Sequence, residues 1–454
     1  MARTLKGVVA VAALSLGLLG GMRAGAETLA DALISAYRNS NLLAQNRAVL
    51  RAADEDVAAA LAALRPVLGW VASSQYAKSP RTGEGTTNSV GLSLQWTVLD
   101  FGRGKLSREI ARESVLGTRQ ALVGVEQNVL LSAVQAYMDV RSAVESVAIN
   151  RNSVRVTGET LKAAQDRFDV GEVTRTDVAQ AEAQLAASRA ALAAAEGQLA
   201  AAREAYRAAT GHYPGALSVP PRAPALPRSV NEATAIAQRN HPAILQAQHQ
   251  VKVAELQVAA AAAQRLPTVN LSGQVTRDEF GNDTSSAGLS LNQTIYAGGA
   301  LSSAHRKAIA GRDAAKAGLL QTSVSISQNV ANAWAQIAVA RSQISAIDQQ
   351  IRAATVAYQG VKEEAALGSR TTLDVLNAEQ DLLDAQSSRI AAVANLQVAY
   401  YSLLSAMGLL TADRLNLPVP SFDPDAYYNA VRNAPVSSVQ GRSLDRILTA
   451  TGKN

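Results

Sequence analysis

Cysteine is absent from this 454-residue chain, aromatic residues make up only 4% of it, and histidine occurs four times. Without cysteine no disulfide can staple the fold, so stability has to come from packing or from association of copies. His212, His241, His249 and His305 are scattered, and no pair has metal-ligand spacing. Catalysis therefore finds no support, and neither a metal nor any other cofactor is expected. Gly298-Gly299 lacks the Lys and Ser/Thr that a phosphate-binding loop requires. Charged residues are 18%, and the formal +6 is interspersed instead of gathered into a basic stripe, which argues against nucleic acid. Apart from one run near the start, no apolar stretch approaches the roughly 20 residues of a membrane-spanning helix.

That first run reads as an export signal. Arg3 and Lys6 precede Val8 to Leu19, and Ala24-Gly25-Ala26 supplies a small-residue cleavage site before Glu27, so residues 1–26 are expected to be removed. No lipidation cysteine follows. A membrane role for the remaining chain would have to use β-strands, because only helices and closed barrels satisfy their backbone groups in lipid.

The chain is also written twice. Gly171-Glu172-Val173-Thr174-Arg175-Thr176-Asp177-Val178 returns as Gly368-Ser369-Arg370-Thr371-Thr372-Leu373-Asp374-Val375, and the same offset of about 197 positions pairs Leu92-Ser93-Leu94 with Leu289-Ser290-Leu291. It also pairs Gly102 with Gly299, Tyr137 with Trp334 and Gly211 with Gly408. One long unit has been duplicated: residues 27–211 and 229–410 form the repeats, the Pro-rich segment 212–228 a stiff linker, and 411–454 a partly ordered tail.

Within each repeat the pattern first alternates and then turns helical. Val90, Leu92, Leu94, Trp96 and Val98 share one face, with Gly91, Ser93, Gln95 and Thr97 on the other. This predicts a strand over about 88–98, paired with one over about 67–76 across a Lys78–Thr87 loop. The second repeat predicts strands over about 268–277 and 287–296 around an Asp278–Ser286 loop, with Leu289, Leu291 and Ile295 on one face. The faces suit apolar-out, polar-in membrane strands, with Trp70, Tyr76 and Trp96 as an interfacial aromatic girdle. Four strands cannot close a spanning barrel, so several chains must share one.

Helices are expected over Leu29–Leu64 and Val230–Arg265, each feeding a strand through Pro66 or Pro267. From about Gly104 to Asp169 there is no proline, which gives a helix of about 98 Å. The return helix carries Val178, Leu185, Leu192, Leu199 and Tyr206 at every seventh position, with Ala181, Ser188, Ala195, Ala202 and Ala209 between them. The second copy gives Val375, Leu382, Arg389, Leu396 and Leu403, Arg389 breaking the row. Such a repeat predicts an antiparallel coiled coil whose tips lie at 170–178 and 367–375. Thr174 to Asp177 and Thr371 to Asp374 read as capping boxes, with Gly171 and Gly368 ending the preceding helices.

Taken together, the signal peptide, the doubled hairpin-plus-coiled-coil unit, Asp100-Phe101-Gly102 and Ala297-Gly298-Gly299 after the strands, the repeated Gly-x-x-Thr-x-x-Asp-Val turn and the closing Gly211 and Gly408 resemble the TolC-like outer-membrane efflux proteins, over about Thr28 to Leu410. The resemblance implies a mainly α fold with a membrane β-barrel: a homotrimer sharing a barrel of about twelve strands, with a periplasmic α-helical tunnel below it. A barrel of about that size leaves a water-filled lumen, whereas about eight strands would be filled by side chains. It further implies an export duct of tripartite efflux or type I secretion in the Gram-negative outer membrane. Its partners would be a periplasmic adaptor, an inner-membrane transporter of the RND, ABC or MFS class, and outer-membrane lipid.

By the same resemblance Arg370 bonds to Thr176 and Asp177 of the other hairpin to hold the periplasmic gate shut, and Asp374 lines the constriction. Ala365 stands where the family can carry a tyrosine, and Asn377 where a second acidic ring residue can occur. Val170, Gly171, Leu367 and Gly368 are the implied adaptor contacts. Val173 fills the place of Arg370 in the first copy, which marks the second turn as the gating one. The alternative function is an exported coiled-coil stalk or adhesin without a channel, which would not leave the faces at Val90–Val98 and Leu289–Ile295 uncovered.

Overall fold

The computed structural model describes residues 26–80, 83–221, 223–420, 422–432 and 446. The expected signal peptide lies outside them except for Ala26, as does most of the tail beyond 432. Helices α1 (Leu29–Asn39) and α2 (Asn41–Ala62) lead into strands β1 (Val67–Ser79) and β2 (Gly83–Leu99), then into α3 (Arg103–Asp169) and α4 (Arg175–Thr210). The order repeats as α5 (Val230–Asn240), α6 (Pro242–Ala263), β3 (Thr268–Asp278), β4 (Asp283–Asn292), α7 (Ala300–Ala366) and α8 (Thr372–Ala406), and a short α9 (Pro424–Val431) follows. Helices α3 and α7 are 67 residues each, about 100 Å of continuous helix.

The helix that opens each repeat is broken in two, where the sequence suggested one. Ser40 takes an extended conformation and its side chain accepts from the Leu43 N–H, starting α2 afresh. In the second repeat Pro242 has no N–H to continue α5, and His241 before it is extended, with ψ 124°.

The chain divides into two compact units. One contains Tyr37–Ser132, Pro224–Gln343 and the chain from Val398, and holds the sheet. Its four strands run in the order β1-β2-β3-β4, antiparallel throughout. Because β1 ladders to Ser79↔Gly83 and β3 to Arg277↔Asp283, most of the residues read as loops are strand. At the other end β4 stops at Asn292, not at 296: its partner β3 starts at Thr268, just after Pro267, so Gln293 to Tyr296 have nothing to pair with. The alternation of β2 is also interrupted. A register shift between Thr97 and Leu99 absorbs Val98, and Leu99 pairs with Val269.

The strand-to-helix bend uses the sequence signature directly. Asp100 accepts from the Gly102 N–H at 2.9 Å and the Gly104 N–H at 2.6 Å, while Phe101 takes a left-handed φ of 53°, as Gly298 does at 58° in the second copy. Arg103, at the start of α3, donates to the carbonyls of Ala263, Gln264 and Leu266, which the end of α6 leaves without helical partners. In this unit α9 is tied to α3 by Arg119, which bonds Asp425 Oδ1 at 2.6 Å, and to α2 by the Tyr427 hydroxyl, 2.7 Å from Glu55.

The other unit contains Ala133–Ala223, Ile344–Gln397 and the chain up to Ala36. Ala181, Leu185, Ser188, Ala195 and Tyr206 are buried along α4, and Val375, Ala385 and Ala392 along α8, so the seven-residue pattern marks the packed face. Arg389 stays exposed and bonds Asp348 at 2.7 Å, which accommodates the break in the row. The Pro-rich segment is docked over 216–218: the Glu27 N–H donates to Ala216 O at 2.7 Å, and Glu27 O accepts from the Ser218 N–H at 2.9 Å. Beside it the Tyr206 hydroxyl donates to Glu27 Oε1 at 2.5 Å, and the Tyr137 hydroxyl donates to Ser218 O at 2.8 Å.

Candidate functional site

The two hairpin tips are built alike. At the end of α3 the Gly171 N–H bonds Phe168 O and the Glu172 N–H bonds Arg167 O; at the end of α7 the Gly368 N–H bonds Ala365 O and the Ser369 N–H bonds Glu364 O. This paired closure requires a left-handed residue at the turn, and Gly171 and Gly368 supply it with φ of 82° and 79°. A capping box then opens each return helix. Asp177 Oδ2 accepts from Thr174 N–H and Oγ1 at 2.8 and 2.7 Å, and Asp374 Oδ2 from Thr371 N–H and Oγ1 at 3.0 and 2.9 Å. The hydrogen bonds from Thr174 and Thr371 hold both carboxyls below the usual aspartate range, so both are ionised near neutral pH.

Within the same unit the two hairpins touch near their tips. Ala164, Ala181 and Leu376 form a buried cluster packed by Leu161 and Val178. Arg167 Nη1 crosses to Ala365 O at 3.1 Å, and Gln184 bonds Gln380 at 3.3 Å. A cavity of about 330 Å³ lies alongside, lined among others by Glu159, Arg167, Tyr358, Lys362 and Thr372. Glu379 is 5% exposed, and burial pushes its carboxyl up to about 7, with the Lys362 ammonium opposing the shift.

Arg370 does not make the bond expected within the chain. Its Nε donates to Glu364 Oε2 at 2.8 Å, on its own hairpin, and among the described residues no hydrogen bond joins it to Thr176 or Asp177. The reason is local: the turn folds Arg370 back over the last turn of α7, where Glu364 stands. Thr176 and Asn377 are exposed, and Val170 and Leu367 present apolar side chains that are 71% and 86% exposed beside the tip glycines. Sequence reasoning missed Glu364, Arg167 and Glu379. The repeat offset carried a signal for the first two, since it aligns Glu364 with Arg167, a charge reversal between copies.

In the sheet, register places Leu68, Trp70, Val90, Leu92, Leu94, Trp96, Leu271, Val275, Leu289 and Leu291 on one face. The opposite face is mostly polar, carrying Ser73, Gln75, Ser93, Gln95, Asn270, Ser272, Gln274 and Ser290, with Val67 and Val71 on β1 and Asp278 at the end of β3. Trp96, whose Nε1 donates to Leu64 O at 3.1 Å, lies at one end of the apolar stripe, and Tyr76 lies beyond its other end, opposite Thr86. Trp70 shares a rung with Leu92 and Val275 inside the stripe. No helix among the described residues is long and apolar enough to cross a membrane, so a spanning element here has to be the sheet.

The family model for outer membrane efflux proteins matches residues 33–212 and 234–409, one match to each repeat. The chain belongs to this family. It is 36% identical over 436 residues to the outer membrane efflux protein BepC of Brucella suis biovar 1, covering 94% of this chain and 96% of that one. It is 28% identical over 427 residues to the outer membrane protein TolC of Escherichia coli K12, covering 88% and 87%. Among solved structures, the open state of the Neisseria gonorrhoeae MtrE outer membrane channel matches with a TM-score of 0.73 at 22% identity, over 85% of this chain and 90% of that one. As an outer membrane efflux protein the chain has the duplicated, mainly α fold with a membrane β-sheet, acts as an export channel, and resides in the Gram-negative outer membrane. The stalk without a channel is set aside.

Proposed function

We propose that three copies close their four-stranded sheets into one barrel in the outer membrane, and that their hairpins extend it as a periplasmic duct. The single observation that carries this is the sheet: it has an apolar face, and among the described residues its edge strands, β1 and β4, have no outer partner. An open edge needs a strand from another copy, and an apolar face needs lipid. The protein would then serve tripartite efflux or type I secretion by conduction without catalysis. A periplasmic adaptor would contact Val170, Gly171, Leu367 and Gly368, and an inner-membrane transporter of the RND, ABC or MFS class would supply the cargo. Trp96 and Tyr76 would anchor the barrel in lipid at its two interfaces, with Trp70 between them.

At the periplasmic mouth Arg370 would bond Thr176 and Asp177 of a neighbouring copy, and Asp374 would repeat around the axis as an acidic ring that draws cations, with Asn377 one turn further on. Asp374 stays ionised for this role because Thr371 stabilises its carboxylate. Reconstituted in planar bilayers, the protein should conduct, and Arg370→Ala should raise single-channel conductance. An unchanged conductance would remove Arg370 from the gate. A detergent-free soluble monomer would remove the duct itself.

A further inference from the structure

We infer that Glu364 is a positioning residue of the gate: it fixes the Arg370 side chain by Nε so that the guanidinium fork faces a carboxylate of the next copy. The inference rests on the gate reading above and adds a residue to it.

Three observations carry it. The Glu364 main chain is held in the turn, because its carbonyl accepts from both the Ser369 N–H at 3.0 Å and Ser369 Oγ at 2.9 Å. From that frame its Oε2 takes Arg370 Nε at 2.8 Å, and among the described residues nothing bonds Nη1 or Nη2. A guanidinium is a rigid fan of five donors, so a partner on Nε sets the direction in which the two Nη groups point. Acceptors of matching kind are free, since the capping boxes use only Oδ2 of Asp177 and Asp374 and leave each Oδ1 without a bond among the described residues.

The placement of an acid here also needs a cause beyond helix stability. Glu364 sits in the last turn of α7, where the carbonyl ends of the helix disfavour negative charge. The first repeat has the favourable choice at this position, Arg167, and there Val173 stands in the place of Arg370. The acid and the arginine therefore occur together in one turn and are both missing from the other. A pair specific to the second turn fits a job that only the second turn performs.

Single-channel conductance of the assembled full-length protein tests this, with Arg370→Ala, Glu364→Ala, Glu364→Asp, Glu363→Ala and the double variant Glu364→Ala/Arg370→Ala. Glu364→Ala should raise conductance by at least half the rise seen with Arg370→Ala. The double variant should equal Arg370→Ala alone, because Glu364 acts through the arginine. Glu363→Ala, which removes the same charge from an exposed neighbour, should leave conductance unchanged, and Glu364→Asp should restore part of the closure. If Arg370→Ala raises conductance but Glu364→Ala leaves it unchanged or lowers it, Glu364 is idle or a competitor and the inference is overturned while the gate stands. An equal rise with Glu363→Ala would reduce the effect to general charge and overturn it too. If Arg370→Ala itself has no effect, the gate reading fails first.

Discussion

Glu379 on α8 is held away from water at 5% exposure, and among the described residues its Oε2 has no hydrogen-bond partner. Burial favours the neutral acid and moves its carboxyl from an ordinary 4.5 to about 7, with Lys362 pulling the other way. The same surroundings push up the hydroxyl of Tyr358, through burial first and then through the charges of Glu379 and Glu159. Since the folded value lies above the unfolded one, the proton is bound more tightly in the folded chain. The resulting stabilisation is complete below pH about 4.5 and is lost as pH rises through about 7. Glu379→Gln keeps the size and removes the charge. It should stabilise this stretch of α8 by up to about 3 kcal/mol near pH 8.5 and by little near pH 4.5, read by hydrogen exchange of the 372–385 amides. A difference that does not change with pH would refute the burial argument. The capping aspartates were legible in the sequence because a capping box is a local pattern. Glu379 was not, since an acid on a helix gives no local sign of whether packing will cover it, and the Arg167 bond was not, since its acceptor is a backbone carbonyl.

Helix α9 shows how an element outside the duplicated unit is held. Arg119 bonds Asp425 Oδ1 at 2.6 Å and the Pro424 carbonyl at 3.3 Å, lies under the Tyr428 ring, and offsets the burial that pushes the Asp54 carboxyl up to about 6. Arg119→Ala should therefore act twice, releasing α9 and leaving Asp54 buried without a cation. The expected cost is about 2 kcal/mol locally, seen as faster limited proteolysis near Pro424 with the tips unaffected. Protection equal to that of the unsubstituted protein would show that Tyr427 and Glu55 alone hold the helix. From the sequence this region read only as a tail, because an eight-residue helix of about two turns carries too little periodicity to stand out. The four strands and the long hairpins were legible for the opposite reason, being long and strictly periodic. Their ends were not: β4 stops where β3 has no residue to offer, and Val98 drops out of the alternation at a bulge, both consequences of pairing partners that a lone strand does not reveal.

For the whole molecule the decisive question is which side of the sheet meets lipid. Leu92 lies between Trp70 and Val275 on the apolar face, and the next residue, Ser93, lies between Gly69 and Gln274 on the polar one. One step along the strand thus exchanges the two environments. An arginine facing the bilayer midplane costs about 2–4 kcal/mol in a membrane barrel, and in a shared barrel each copy bears that cost. Leu92→Arg should accordingly abolish assembly in the outer membrane, measured by fractionation and by loss of conducting events on reconstitution. Ser93→Arg should still assemble, because its side chain would project into water, and should lower conductance and shift ion selectivity toward anions. The contrast between adjacent positions removes general misfolding as an explanation, since both substitutions place the same residue in the same strand. If Leu92→Arg assembles and conducts normally while Ser93→Arg does not, the faces are reversed. If both assemble and conduct alike, the sheet does not wall a channel at all.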